Sequence, residues 1–117
     1  MTDTADKPLS APHDPNPRKP SVAVPPDACD CHAHVFGPGN TWPFIPHGLY
    51  TPADALATDF AHMRSVLGLP RGVLVQPSIY GTDNRAMLDA LGKDPKTLRG
   101  VAVLPFDAPV EEIEHLH

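Results

Sequence analysis

The sequence has little of what would place it in a membrane, on a nucleic acid or in a disulfide scaffold. No run approaches the ~20 apolar residues that a membrane-spanning helix needs. The N-terminus also lacks the basic start and apolar stretch of a secretion signal. Basic residues are few: nine Lys and Arg against 14 Asp and Glu, for a formal net charge of −5. They are scattered, so no patch exists to neutralise phosphates, and neither nucleic acid nor membrane is expected as a partner. Cysteine is nearly lacking. Cys29 and Cys31 stand at i and i+2 of an extended segment, where a disulfide between them would be strained. They read as small reduced thiols, which suits the cytoplasm.

Proline, by contrast, is abundant at 16 of 117 residues. Pro8, Pro12, Pro15, Pro17, Pro20, Pro25 and Pro26 fall within residues 1–27, among few large apolar side chains. Such a segment cannot bury enough surface to offset its ordering entropy, so 1–27 is expected to be a disordered Pro-rich tail. His13, within it, reads as a solvated side chain.

From residue 28 the pattern changes to that of one folded unit, 28–117. Ala28–Phe36 reads as a strand, and Gly37–Tyr50, rich in Gly and Pro, as a long loop packed by Trp42 and Phe44. A helix is expected from Thr51 as N-cap, with Pro52 in the first turn, Asp54 at the positive helix start and Gly68 as stop. Leu56, Phe60, Met63 and Leu67 form its apolar stripe, with His62 at the boundary. Arg71–Ser78 follows as a strand whose near-continuous apolar run predicts burial on both faces, as in a parallel sheet. A second helix runs from about Asp83, through Asn84 and Arg85, to Leu91, with Gly92 as stop. Arg99–Phe106 is a third strand. Asp107 and Pro109 then open a third helix with Val110, Ile113 and Leu116 on one face and His115 and His117 in solvent.

Strand and helix therefore alternate three times, with crossovers long enough for right-handed βαβ units. A whole α/β barrel takes roughly 250 residues. The expected fold is α/β: about three βα units from the N-terminal part of a TIM (β/α)8 barrel, with a small open parallel sheet as the other possibility.

The ionisable residues of the first strand carry the chemistry. Strand side chains alternate faces, so Asp30, His32 and His34 are expected on one face and Cys29, Cys31, Ala33 and Val35 on the other. Two imidazoles at i and i+2 can converge on one ion or one substrate oxygen. Alone, the pair would read as satisfied core histidines. Its place at the end of a first strand, before a long loop, favours a site, because α/β barrels hold their active sites at the carboxyl ends of the strands.

The run Cys29-Asp30-Cys31-His32-Ala33-His34-Val35-Phe36-Gly37-Pro38 resembles the opening strand of the amidohydrolase-2 branch of the amidohydrolase superfamily. Tyr50-Thr51-Pro52-Ala53-Asp54-Ala55, Val75-Gln76-Pro77-Ser78, Gly81-Thr82-Asp83-Asn84-Arg85 and Arg99-Gly100-Val101-Ala102 bring the resemblance closest to 2-pyrone-4,6-dicarboxylate lactonase-like hydrolases. The resemblance spans about residues 28–107. It implies that His32 and His34 contact the scissile carbonyl region, or bind a divalent metal such as zinc in metal-using relatives. The cofactor is thus either none or one divalent ion. It further implies that Tyr50 and Ser78 hydrogen-bond a carboxylate of a small carboxylated substrate. Plainer readings stand beside these: Tyr50 packs on the barrel mouth, Ser78 caps a turn, and Asn84 and Arg85 begin a helix; Asp30 is a candidate to orient a histidine.

In that family the hydrolytic water is handled by an aspartate on the last barrel strand, with further His and Arg from later strands, none of them within these 117 residues. The isolated chain is therefore expected to be a catalytically inactive, or nearly inactive, fragment of a lactone or cyclic-ester hydrolase. The competing readings are a metal-dependent decarboxylase of the same branch, a non-enzymatic remnant or binding module, and a small zinc protein using Cys29, Cys31, His32 and His34. Crowding of four ligands on one strand counts against the last.

Overall fold

A computed structural model describes residues 7–117; the first six residues of the expected tail lie outside them. Three strands, β1 (Cys29–Ala33), β2 (Arg71–Val75) and β3 (Leu98–Val101), form a wholly parallel sheet in the order β1-β2-β3. The crossovers carry α1 (Ala57–Leu67) and α2 (Arg85–Lys93), and α3 (Val110–Leu116) follows β3. The α/β alternation is the one expected. No helix among the described residues is long and apolar enough to cross a membrane.

Leu74 of β2, fully buried, centres the core with Val35, Phe60, Met87, Ala90 and Leu98. Phe60 comes from α1 and Met87 and Ala90 from α2, so both helices cover the Leu74 face of the sheet. Gly72 admits the Phe60 ring so closely that a Cβ there would lie 2.7 Å from its Cε1. The other face is open. Val73 and Val75 are only half-buried, which corrects the expectation of burial on both faces.

The element ends depart from the sequence reading where backbone groups find other partners. Residues 51–55 are extended rather than helical. Thr51 exchanges hydrogen bonds with Pro8 and Ser10 of the tail, and Ala55 bonds in both directions with Phe36. Asp54, expected at a helix start, accepts the Gly39 N–H instead. The helix begins where Asp59 Oδ2 takes the Leu56 N–H at 2.7 Å, and it ends at Gly68 in the left-handed region as expected. Gly92 does not stop α2. It lies inside the last turn, and Asp94 takes the cap position. Beyond Val101, the Asn84 side chain bonds both the N–H and the C=O of Val103, so the third strand is shorter than expected.

Residues 7–27 hold no helix; they form a β-bridge to the body at Leu9–Thr51, where Lys7 Nζ also donates to the Pro46 carbonyl and Ser10 Oγ accepts the Ala53 N–H. Further along, the Arg71 guanidinium donates twice to the Asp27 carbonyl, at 2.6 and 2.9 Å. His13 lies 3.6 Å from Asp59, both side chains being more than a third exposed.

Candidate active site

The site begins with an irregularity in β1. Cys29 pairs with Arg71 and Asp30 with Gly72, but the next partners are Ala33 and Leu74. Two residues, Cys31 and His32, therefore oppose the single Val73, which makes a β-bulge. Asp30 then falls on the same side as Gly72 and Leu74, away from the histidines, and the expected grouping of Asp30 with His32 and His34 is corrected. The Asp30 carboxylate instead accepts the His32 backbone N–H at 3.1 Å, within the bulge. Past the bulge, alternation resumes: Ala33 and Val35 enter the core, while His32 and His34 are exposed on the open face. Partial burial pushes the Cys29 thiol above its ordinary pKa, and the Cys31 thiol beside it adds to the shift.

His34 is oriented by the neighbouring strand. Its Nδ1 lies 2.8 Å from the carbonyl oxygen of Val75, the last residue of β2. A carbonyl only accepts, so Nδ1 carries the hydrogen, and the neutral ring presents its Nε2 lone pair. The His32 ring stands 5.1 Å away, centre to centre, with planes at 87°.

This donor set suits half of a metal site. Two imidazoles holding one tetrahedral ion at about 2.0–2.1 Å per nitrogen have their ring centres about 5 Å apart. A ligating histidine commonly donates its second N–H to a carbonyl, as His34 does. A catalytic zinc takes three protein ligands, however, and among the described residues no three His, Cys, Asp or Glu side chains gather as a metal-binding group.

From the histidines a row of rings leads across the rim of the sheet. His34 and Phe36 are 6.0 Å apart, Phe36 and Tyr80 6.3 Å, and Tyr80 and Phe44 5.2 Å. Tyr80 closes a 3-10 turn (Ser78–Tyr80) that follows β2. It is almost wholly buried, its hydroxyl accepts the Gly37 N–H at 2.9 Å, and burial raises its pKa above the ordinary tyrosine value. Ser78 is exposed at the first position of this turn. Tyr50, half-buried, packs on the cluster formed by Ile79, Tyr80 and Ala86. Tyr50 thus packs on a cluster to which the turn opened by Ser78 contributes Ile79 and Tyr80, just past the strand end where His34 meets β2. Trp42 and Phe44 pack in the same cluster, as the loop reading expected.

Two residues here were missed in the sequence. Tyr80 is the hub of the aromatic row, and Gly81 beside it, with φ +56°, was the local sign of a tight turn. Gln76 is buried beneath the turn and donates to the carbonyls of Gly81 (3.0 Å) and Asp83 (2.8 Å). Asn84 precedes α2 and Arg85 is its first residue, in line with the plainer reading of both. Arg85 forks onto Asp83 with two 2.8 Å bonds and lies over the Trp42 ring, and the guanidinium holds the Asp83 carboxyl below its usual range.

Comparison with known proteins gives a consistent picture. The amidohydrolase family model Amidohydro_2 matches residues 29–117. A 2-pyrone-4,6-dicarboxylate hydrolase of Comamonas testosteroni is 44% identical over 102 residues, covering 87% of this chain and 33% of the relative. A 4-sulfomuconolactone hydrolase of Rhizobium radiobacter is 38% identical over 81 residues, covering 69% and 27%. Among solved structures, a probable 2-pyrone-4,6-dicarboxylic acid hydrolase of Acinetobacter baumannii with citric acid bound superposes with a TM-score of 0.72 at 35% identity, covering 77% of this chain and 33% of that one. The chain therefore spans about a third of the length of the relatives it matches.

Proposed function

The chain belongs to the amidohydrolase family, and from that premise we propose that it forms the first three βα units of a TIM (β/α)8 barrel that hydrolyses a small carboxylated lactone or cyclic ester. The observation that carries the reading is the His32–His34 pair at the carboxyl rim of a parallel sheet, with His34 oriented by the Val75 carbonyl. Active sites of α/β barrels stand at that rim.

Lactone hydrolysis needs an attacking water, a polarised carbonyl and a proton for the leaving oxygen. The His34 Nε2 lone pair, with Nδ1 already committed, is suited to accept a proton or to ligate. His32 borders the same space. Ser78 and Tyr50 offer hydroxyls to a substrate carboxylate from one side of the rim, so the substrate's charge is held apart from the reacting ester. A divalent ion held by His32 and His34 would supply Lewis-acid polarisation of the carbonyl. Two histidines supply neither a complete metal site nor all three requirements of the reaction. The 117-residue chain alone is therefore inactive or nearly so.

The test joins residues 1–117 to the last two-thirds of the Comamonas hydrolase. The chimera should hydrolyse 2-pyrone-4,6-dicarboxylate, and His32→Ala or His34→Ala should each lower kcat/KM by about 10²-fold or more. A chimera indifferent to both substitutions would sink the assignment of the site. Normal turnover by the purified 117-residue chain would sink its incompleteness.

A further inference from the structure

Gln76 has no part in the chemistry above, yet its side chain is placed at the centre of the site's support. It lies on the helix-covered face one residue past β2, 4% exposed, and its backbone N–H bonds the Val101 carbonyl of β3. Both hydrogens of its amide are used on one loop, one on the Gly81 carbonyl and one on the Asp83 carbonyl. Its Oε1, by contrast, is buried with no hydrogen-bond partner. An unpaired buried acceptor is destabilising, and Met or Leu would fill the same volume without it. The position is thus not optimised for packing: an amide stands there because of what its two donors hold.

What they hold is the turn on which both proposed carboxylate contacts rest. Ser78 opens it. Its Ile79 carbonyl accepts the Ile45 N–H at 2.8 Å, its Tyr80 hydroxyl accepts the Gly37 N–H, and Tyr50 packs against the cluster these two residues form with Ala86. At its far end Gly81 sits so near Ile45 that a Cβ would lie 2.9 Å from Cγ2. We propose that Gln76 is a positioning residue that locks the Ser78 turn and the 37–50 loop bearing Tyr50 into one unit, setting the spacing of the two substrate-carboxylate contacts. The proposal rests on the reading of Ser78 and Tyr50 given above.

Amide hydrogen exchange on the 117-residue chain tests it, with Gln76→Met and Gln76→Glu compared with the parent. In Gln76→Met, protection at Gly37, Ile45 and Asp83 should fall about tenfold or more while Gly72, bonded within the sheet to Thr97, keeps its protection. In Gln76→Glu, the protonated carboxyl can donate one of the two bonds, whereas the ionised carboxylate faces two carbonyls with none to give, and burial raises the pH at which it ionises, so exchange is followed from about pH 5 upward through that ionisation. Protection at Ile45 and Gly37 should therefore be largely restored below the ionisation and lost above it. If Gln76→Met leaves Gly37 and Ile45 within twofold of the parent, the lock does not exist. If Gly72 loses protection in equal measure, or Gln76→Glu behaves as Gln76→Met throughout that pH range, Gln76 is merely structural and the proposal fails. Hydrolysis does not enter this measurement, so an inactive chimera would overturn the functional reading of Ser78 and Tyr50, whereas the lock between the turn and the loop stands or falls by exchange alone.

Discussion

His34 owes its orientation to a backbone carbonyl, so no substitution of the partner side chain can release it. In the neutral ring the proton should stay on Nδ1. Long-range 15N–1H spectra check this, and a neutral ring protonated on Nε2 would contradict the geometry. Tyr80 makes a second prediction. Tyr80→Phe removes the acceptor of the Gly37 N–H and should cost about 1 kcal/mol, or several degrees in Tm for a domain of this size. The same residue has an alkaline signature. Its folded pKa is raised above the ordinary value by burial, so the folded state holds the proton longer than the unfolded state. Its contribution is therefore intact below about pH 10 and is lost as pH rises through the folded value. Denaturant unfolding between about pH 9 and pH 11 should show this slope in the parent and a shallower one in Tyr80→Phe. At this scale the histidine pair was legible, because strand alternation past the bulge puts i and i+2 together. Asp30 was misplaced by the same rule, since a bulge adds a residue that leaves no mark in the hydrophobic pattern. Tyr80 was overlooked because a tyrosine just past a strand looks like any loop residue until the Gly37 N–H is known to need an acceptor.

At the scale of elements, what decided each boundary was competition for backbone groups. Thr51, Pro52 and Asp54 form a good helix start by local preference, but the backbone of 51–55 is already bonded to the tail and to Phe36. The helix therefore waits for Leu56 and Asp59. No local signal announces partners at residue 36 or at residues 8 and 10 of the tail. The glycines separate the two kinds of information. Gly72 and Gly92 are alike in sequence terms but opposite in effect. An alanine at 72 meets Phe60 carbons at 2.7 and 2.8 Å and should destabilise by about 1–3 kcal/mol. An alanine at 92 meets nothing within 4 Å inside a helical turn and should stabilise by about 0.5–1 kcal/mol. Urea unfolding of the two variants should give shifts of opposite sign; a destabilised Gly92→Ala would mean that the glycine does end the helix.

For the whole molecule, alternation of strand and helix was legible because each element is long and strongly patterned, and parallel pairing follows from the crossover lengths. The half-covered state of the sheet was not, since an apolar strand reads the same whether one face or both are buried. Val101 and Val103 stand exposed along the outer strand and its continuation, Val110 and Ile113 on α3, and Phe106 lies wholly in solvent between them. An unpaired strand edge beside exposed apolar side chains promotes association. The chain should therefore bind an apolar dye and self-associate at high concentration, and Val101→Lys with Ile113→Lys should reduce both; a parent chain that stays monomeric and dark would contradict this. The connectivity has one more consequence, in time rather than in space. The contact that orients His34 joins residues 41 positions apart, and the Gly37–Tyr80 bond closes over 43. Chain closures of that length are slow compared with helix formation, so the imidazole should find its native environment only after β1 and β2 have met. The histidine resonances would then serve as a late clock for folding, lagging behind the appearance of helical signal.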